Sequence, residues 1–153
     1  MFIMGYDIRP AAKLNKARLG GADLDAAKLA GAILTHADLR EVSLRSADLT
    51  GADFSDAYLD GVDMRSADLT AALLRFALLD AANLSGATMK GAVLDSASLM
   101  DANLSRANLR WADLTEANLC RTNLEGADLS GAWFRRARYD KGTVFPDGFD
   151  ATK

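Results

Sequence analysis

The chain has 153 residues, half of them apolar, and a net charge of −3. This is apolar enough for one folded domain, and too weakly charged to signal a nucleic-acid partner or an acidic membrane surface. Cys120 is the only cysteine, which excludes an internal disulfide and CxxC-type metal clusters and fits a reducing compartment.

Residues 1–11 begin MFIMGYDIRP, a short apolar stretch with no basic leader, and are not read as a secretory signal. No apolar run approaches the ~20 residues needed to span a bilayer. The most apolar stretch, residues 71–82, is cut by Arg75 and Asp80. The expected location is cytoplasmic. Phe2, Ile3, Met4, Tyr6 and Ile8 are expected to cap whatever fold follows.

From Leu14 to Tyr139 every fifth residue is large and apolar: 21 Leu, Phe54, Phe134, Met64, Met89 and Tyr139. Two residues before each stands a small side chain, Ala except at Val42, Val62 and Thr122. The slot between them is Asp or Asn in 13 of 26 repeats, so the unit reads A-(D/N)-L-x-x from Ala12 to Lys141 without a slip. On an α-helix, five residues turn the phase by ~140°, and the leucines would spread around the whole circumference. A straight strand keeps Ala and Leu on one face but puts the next Ala on the other. An in–out–in–out–out pattern therefore requires a short extended segment and a bend in every repeat. The bend slots are rich in Gly, Ser, Thr, Asp and Arg, of which Gly, Ser and Asp suit turns. A chain that bends alike every five residues winds into a coil around its Leu and Ala side chains. One such repeat cannot stand alone; stacking of coils must stabilise it.

A longer period sets the number of repeats per coil. Val42, Val62 and Thr122 share one phase of a 20-residue cycle. The apolar residues in the Asp/Asn slot fall on two neighbouring phases: Ile33, Leu73, Val93 and Trp133 on one, Tyr58 and Leu78 on the next. Four repeats per coil follow, hence an all-β rod of about 6.5 coils from 26 repeats, roughly 31 Å long at ~4.8 Å per strand.

The segments GADLD (21–25), SADLT (46–50), GADFS (51–55) and GADLS (126–130), with SRANL (105–109) and TEANL (115–119), resemble the pentapeptide-repeat family. The resemblance implies a right-handed quadrilateral β-helix, with Leu and Ala inward and the other three slots outward. Residues 143–150, TVFPDGFD, resemble the ending of many cyanobacterial members. Many family members have no known activity.

Residues 142–153 are expected to be a C-terminal cap or tail. Val144, Phe145, Pro146 and Phe149 would cover the last coil, with Pro146 ending the winding. The competing reading is that one end is an interface between copies, because an open coil exposes unpaired backbone groups.

Chemistry is not expected. His36 and Cys120 fall in bend slots that point outward, no cofactor or metal site is legible, and paired carboxylates arise from the repeat itself. Some relatives of the quinolone-resistance kind are thought to mimic DNA and bind DNA gyrase, and that mechanism wants a sustained negative stripe. Sorted by face in chain order, the acidic and basic residues number five and five, six and five, four and three, and three and three. DNA gyrase is therefore only the alternative partner. Ile33, Tyr58, Leu73, Phe76, Leu78, Val93 and Met100 form a candidate interaction patch for a protein partner or a second copy. The other reading of these residues is a scatter of apolar side chains with no role. Asn83, Asn103 and Asn123 share a phase and are expected to stack as an amide ladder.

Overall fold

The computed structural model describes residues 1–151; Thr152 and Lys153 of the expected tail lie outside the described residues. No helix forms among them. The chain winds so that each repeat pairs in parallel with the repeat 20 residues later, as in Leu73 with Val93 or Asn83 with Asn103. Four ladders result, one on each side of the rod. Face one carries Lys13, Ile33, Asp53, Leu73, Val93, Asp113 and Trp133 in its central column. Face two carries Arg18, Asp38, Tyr58, Leu78, Ser98, Asn118 and Arg138. Face three runs from Asp23 through the three stacked asparagines to Val144, and face four from Lys28 to Asp128.

One repeat shows how its backbone is satisfied. The Asn83 N–H donates to Val62 O on the preceding coil at 2.8 Å, while the Leu84 and Gly86 N–H groups donate to Asn103 O and Ser105 O on the next. The Ala87 N–H closes the corner onto Leu84 O at 3.0 Å. The fifth donor, Ser85 N–H, goes to the Asn83 Oδ1 at 3.2 Å. This explains the Asp/Asn slot. All 13 of its Asp and Asn residues accept the N–H two residues on. The side chain satisfies the one backbone donor that neither turn nor ladder reaches.

The corners are type II turns, with a positive φ only at the second turn residue. Every repeat has it there, from Ala11 to Arg136, and most of these residues are not glycine. L-residues pay for this conformation, so turn strain is spread along the whole rod and offset by coil stacking.

Inside, the Leu and Ala columns are buried as far as Leu129, along with Phe54, Met64 and Met89; in the last coil Ala132, Phe134 and Ala137 are half-buried and Tyr139, expected inward, is exposed because no further coil covers it. Thr122 takes an Ala slot in full burial because its hydroxyl donates to Leu99 O at 2.7 Å. Thr143 repeats this one coil later, donating to Leu119 O at 2.8 Å. That repetition exposes a slip: Asn123 pairs with Val144, 21 residues on, because one residue is inserted at the preceding corner. Winding thus continues past residue 141.

The ends differ from expectation residue by residue. At the N-terminus β1 (Phe2–Ile3) and β2 (Tyr6–Asp7) form an antiparallel hairpin. Its tight turn has positive φ at both Met4 and Gly5. Ile3, Tyr6 and Ile8 pack on the core, but Phe2 and Met4 point to solvent, on the outer side that the pleat and the turn tip assign them. At the C-terminus Phe145 and Phe149 pack on the core; Phe145 meets Tyr139 and Phe149 meets Phe134, each at 5.3 Å between ring centres. Pro146 is half-buried and accepts the Phe149 N–H, while Val144 is exposed because the pairing slot faces outward.

Gly131 is the glycine with the least room. Its φ is +70°, and a Cβ there would fall inside the Trp111 ring stacked beneath it, whereas Gly91 has φ +65° and open space. Gly131→Ala is expected to cost more than about 1 kcal/mol through the backbone, plus about 1–3 kcal/mol of overpacking. Gly91→Ala should show only the first loss, and adding Trp111→Ala to Gly131→Ala should recover the second, as measured by urea denaturation.

A second expectation concerns acid. The Arg45 guanidinium, with the Ser43 hydroxyl, holds the Asp25 carboxyl at about 2 against an ordinary 3.8. Arg40, Arg65 and Arg121 lower Asp38, Asp63 and Asp101 in the same direction. Carboxyls depressed by folding stabilise the protein above their unfolded value, and that contribution is lost as pH falls through the folded value. Stability should therefore fall between about pH 4 and pH 2. Arg45→Met should flatten that slope in pH-dependent thermal melts.

Candidate interaction surface

An outward side chain on this rod is defined by its column and its coil. Leu73 and Val93 are consecutive in the column of face one, and Tyr58 and Leu78 are consecutive in that of face two. Phe76 sits on the corner between these two faces, 55 % exposed, with φ +56°. The Leu73–Phe76–Leu78 repeats are adjacent in one coil, so these five residues form a continuous apolar seam that crosses the corner. Leu73, Tyr58 and Leu78 are exposed and Val93 half-buried.

Two candidates are set apart from the seam. Ile33 shares the column of Leu73, but Asp53 lies between them. Met100 is half-buried on the corner beyond face two, where its N–H donates to Asp80 Oδ1 at 3.2 Å.

An apolar residue in the pairing slot forgoes the side-chain bond that Asp or Asn gives to the turn. Serine in this slot has another solution: at Ser43 and Ser98 an aspartate of the preceding coil, Asp25 or Asp80, takes both the serine hydroxyl and the turn N–H. Leucine and valine have no such group. The rod thus gives up turn hydrogen bonds, worth about 0.5–1.5 kcal/mol each where water does not replace them, to present this seam.

Carboxylates border it. In the three coils of the seam, faces one and two with their corners carry Asp53, Asp56, Asp60, Asp80, Asp95 and Asp101, against two cations, Arg75 and, on the corner leading into face one, Lys90. Of these, only Asp101 is in an ion pair among the described residues, with Arg121 at 2.7 Å. Burial pushes the Asp60 carboxyl up, and the neighbouring Asp80 charge adds to this. This acidic border was missed by summing charges around the rod. Sorting the same residues along its axis reveals it.

The remaining candidates do not converge. His36 is exposed on its corner and Cys120 is half-buried. A polar hollow lies between faces three and four, lined by Ser85, Ser105, Arg106 and Glu125 and by Pro146 and Asp147 of the tail. Among the described residues no group of His, Cys, Asp and Glu is placed to hold a metal ion. No helix among them is long and apolar enough to cross a membrane.

Four ladders at a spacing of four five-residue repeats define a quadrilateral β-helix. The family model "Pentapeptide repeats" matches residues 11–40, 37–75, 67–106, 77–115 and 102–138. The chain belongs to the pentapeptide-repeat family, whose members fold as right-handed quadrilateral β-helices.

The pentapeptide-repeat protein Rfr23 of the cyanobacterium Cyanothece 51142 is 37% identical, with a TM-score of 0.54. That match covers 64% of this chain and 63% of Rfr23, so the chain spans less than two thirds of that relative's length. The Nostoc PCC 7120 pentapeptide-repeat protein alr5209 is 38% identical over 69% of this chain and 78% of its own, with a TM-score of 0.34. QnrB1, a plasmid-mediated fluoroquinolone resistance protein, is 17% identical over 87% of this chain and 89% of its own, with a TM-score of 0.42. No curated protein matches the chain.

Proposed function

We propose that this protein is a non-enzymatic scaffold, a rod of about six and a half coils at four repeats each, that docks a protein partner on faces one and two. The observation that carries this is the apolar seam of Tyr58, Leu73, Phe76, Leu78 and Val93. Five large apolar side chains are contiguous there, in slots that elsewhere hold mostly polar, charged or small residues, with Ile33, Trp111 and Trp133 as isolated apolar exceptions. Contiguous apolar surface rimmed by polar groups marks an interaction site, whereas scattered apolar residues would not share neighbouring columns. Ile33 and Met100 extend the contact as outliers. In this reading the Phe2–Asp7 hairpin at one end and the aromatic cluster around Phe149 at the other serve as caps, which leaves the sides as the working surface. An unpaired thiol at Cys120 fits the cytoplasm.

A gyrase-directed DNA mimic is the alternative, and it needs a negative stripe along the rod. Here Lys13, Lys16 and Arg18 at one end, and Arg135, Arg136 and Arg138 at the other, break any such stripe on faces one and two. Gyrase supercoiling assayed with an excess of this protein should proceed unchanged. A dose-dependent block would favour the mimic.

The seam itself is tested by Leu73→Asp and Leu78→Asp. Both side chains point away from the core, so the melting temperature should change little, as for exposed substitutions within about 0.5 kcal/mol. Any protein recovered with the wild type in a pull-down should be lost. Unchanged mass together with an unchanged set of co-purifying proteins would rule the seam out.

A further inference from the structure

We infer that the partner of the seam presents an apolar ridge flanked by lysine or arginine side chains, and that it is not a second copy of this chain. The inference rests on the docking surface proposed above and adds the chemistry of its occupant.

The argument is the distribution of charge along faces one and two. The first coil there carries Lys13, Lys16 and Arg18 and no acid. The three coils of the seam carry six aspartates there against Arg75 and the corner lysine Lys90. The last carries Arg135, Arg136, Arg138 and Lys141 against Asp140. Each face is close to neutral in sum, yet the seam lies in an acidic zone between two basic ends. Away from the seam some aspartates pair with arginines, as Asp38 with Arg40, Asp25 with Arg45, Asp63 with Arg65 and Asp128 with Arg110, while Asp23, Asp48, Asp68 and Asp113 accept turn N–H groups without an ion pair among the described residues. At the seam, Asp53, Asp56, Asp60, Asp80 and Asp95 have no ion pair among the described residues. Such unpaired carboxylates around a desolvated apolar strip select a partner of opposite charge, and they set association rate and specificity more than raw affinity.

Symmetry argues against self-association. A two-fold contact uses the same patch on both copies. Centred on the seam, it would set one ring of aspartates against another, whichever way the rods cross. With the rods parallel or antiparallel, it would also set basic ends against basic ends. Like charges brought together across an interface cost affinity.

The probe is a fluorescent 18-residue amphipathic peptide of Leu and Lys, with two controls: the same peptide with Lys replaced by Glu, and one with Leu replaced by Ser. Binding to the full chain is followed by anisotropy at low and high salt, with sedimentation velocity for mass. The Leu/Lys peptide should bind, more weakly as salt rises, and neither control should bind comparably. The triple variant Asp56→Asn, Asp60→Asn, Asp95→Asn should bind it about tenfold more weakly with a flatter salt dependence, each surface pair contributing a few-fold. Leu73→Ser with Leu78→Ser should abolish binding while the thermal melt stays put. Equal binding of the Glu peptide, or unchanged affinity in the Asn variant, would overturn the basic partner and leave the docking surface standing. Unchanged binding in the Ser variant would overturn the docking surface itself. A wild-type mass of two chains that drops to one in the Ser variant would show that a second copy is the occupant.

Discussion

The whole molecule depends on the hydrogen bonds between successive coils. Each repeat between the two end coils sends two N–H groups forward and one back, at 2.7 to 3.1 Å nearly throughout. Because these bonds are vertical, every residue has a fixed neighbour one coil away, and the side chain at that position must be compatible with it. Leu73 stacks under Val93, Asn83 under Asn103, Arg18 under Asp38, and the Trp111 ring under Gly131. The apolar interior supplies the driving force for burial, but the ladders make the stack specific.

The ladder also explains the tolerance of left-handed corners. His36, Phe76 and Trp111 hold a φ near +60° that an isolated turn would leave to glycine. They keep it because the corner N–H bonds to the next coil only in that conformation. A bulky side chain at such a corner projects into solvent. Phe76 can therefore extend the seam from one face to the next, where a flat sheet would have kept the two columns apart.

Function then reduces to what the outward slots carry. The Asp/Asn slot is structural by default, since its side chain caps the turn. Its replacement by Tyr58, Leu73, Leu78 and Val93 in neighbouring positions is a departure from a local rule, and such departures concentrate at working sites. The surrounding carboxylates accompany it, concentrated in the same three coils of faces one and two.

Period five was sufficient to determine the interior. Leu84 and Leu104 point inward because side-chain direction follows from local spacing, before any long-range contact is known. The 20-residue recurrence of Val42, Val62 and Thr122 likewise carried the four-sided closure, since positions that stack share an environment. Local spacing says nothing about how an end is finished. Phe2 and Met4 read as cap residues by composition, but the pleat and turn of their hairpin turn them outward. Val144 read as cap for the same reason, until one inserted residue carried it into the pairing slot. The role of Asp and Asn as acceptors for the turn, and the acidic border of the seam, emerged only from the wound chain. The first is a contact between residues two apart that exists once the turn is formed; the second depends on groups brought side by side by the coil pitch, and tertiary structure alone sets those distances.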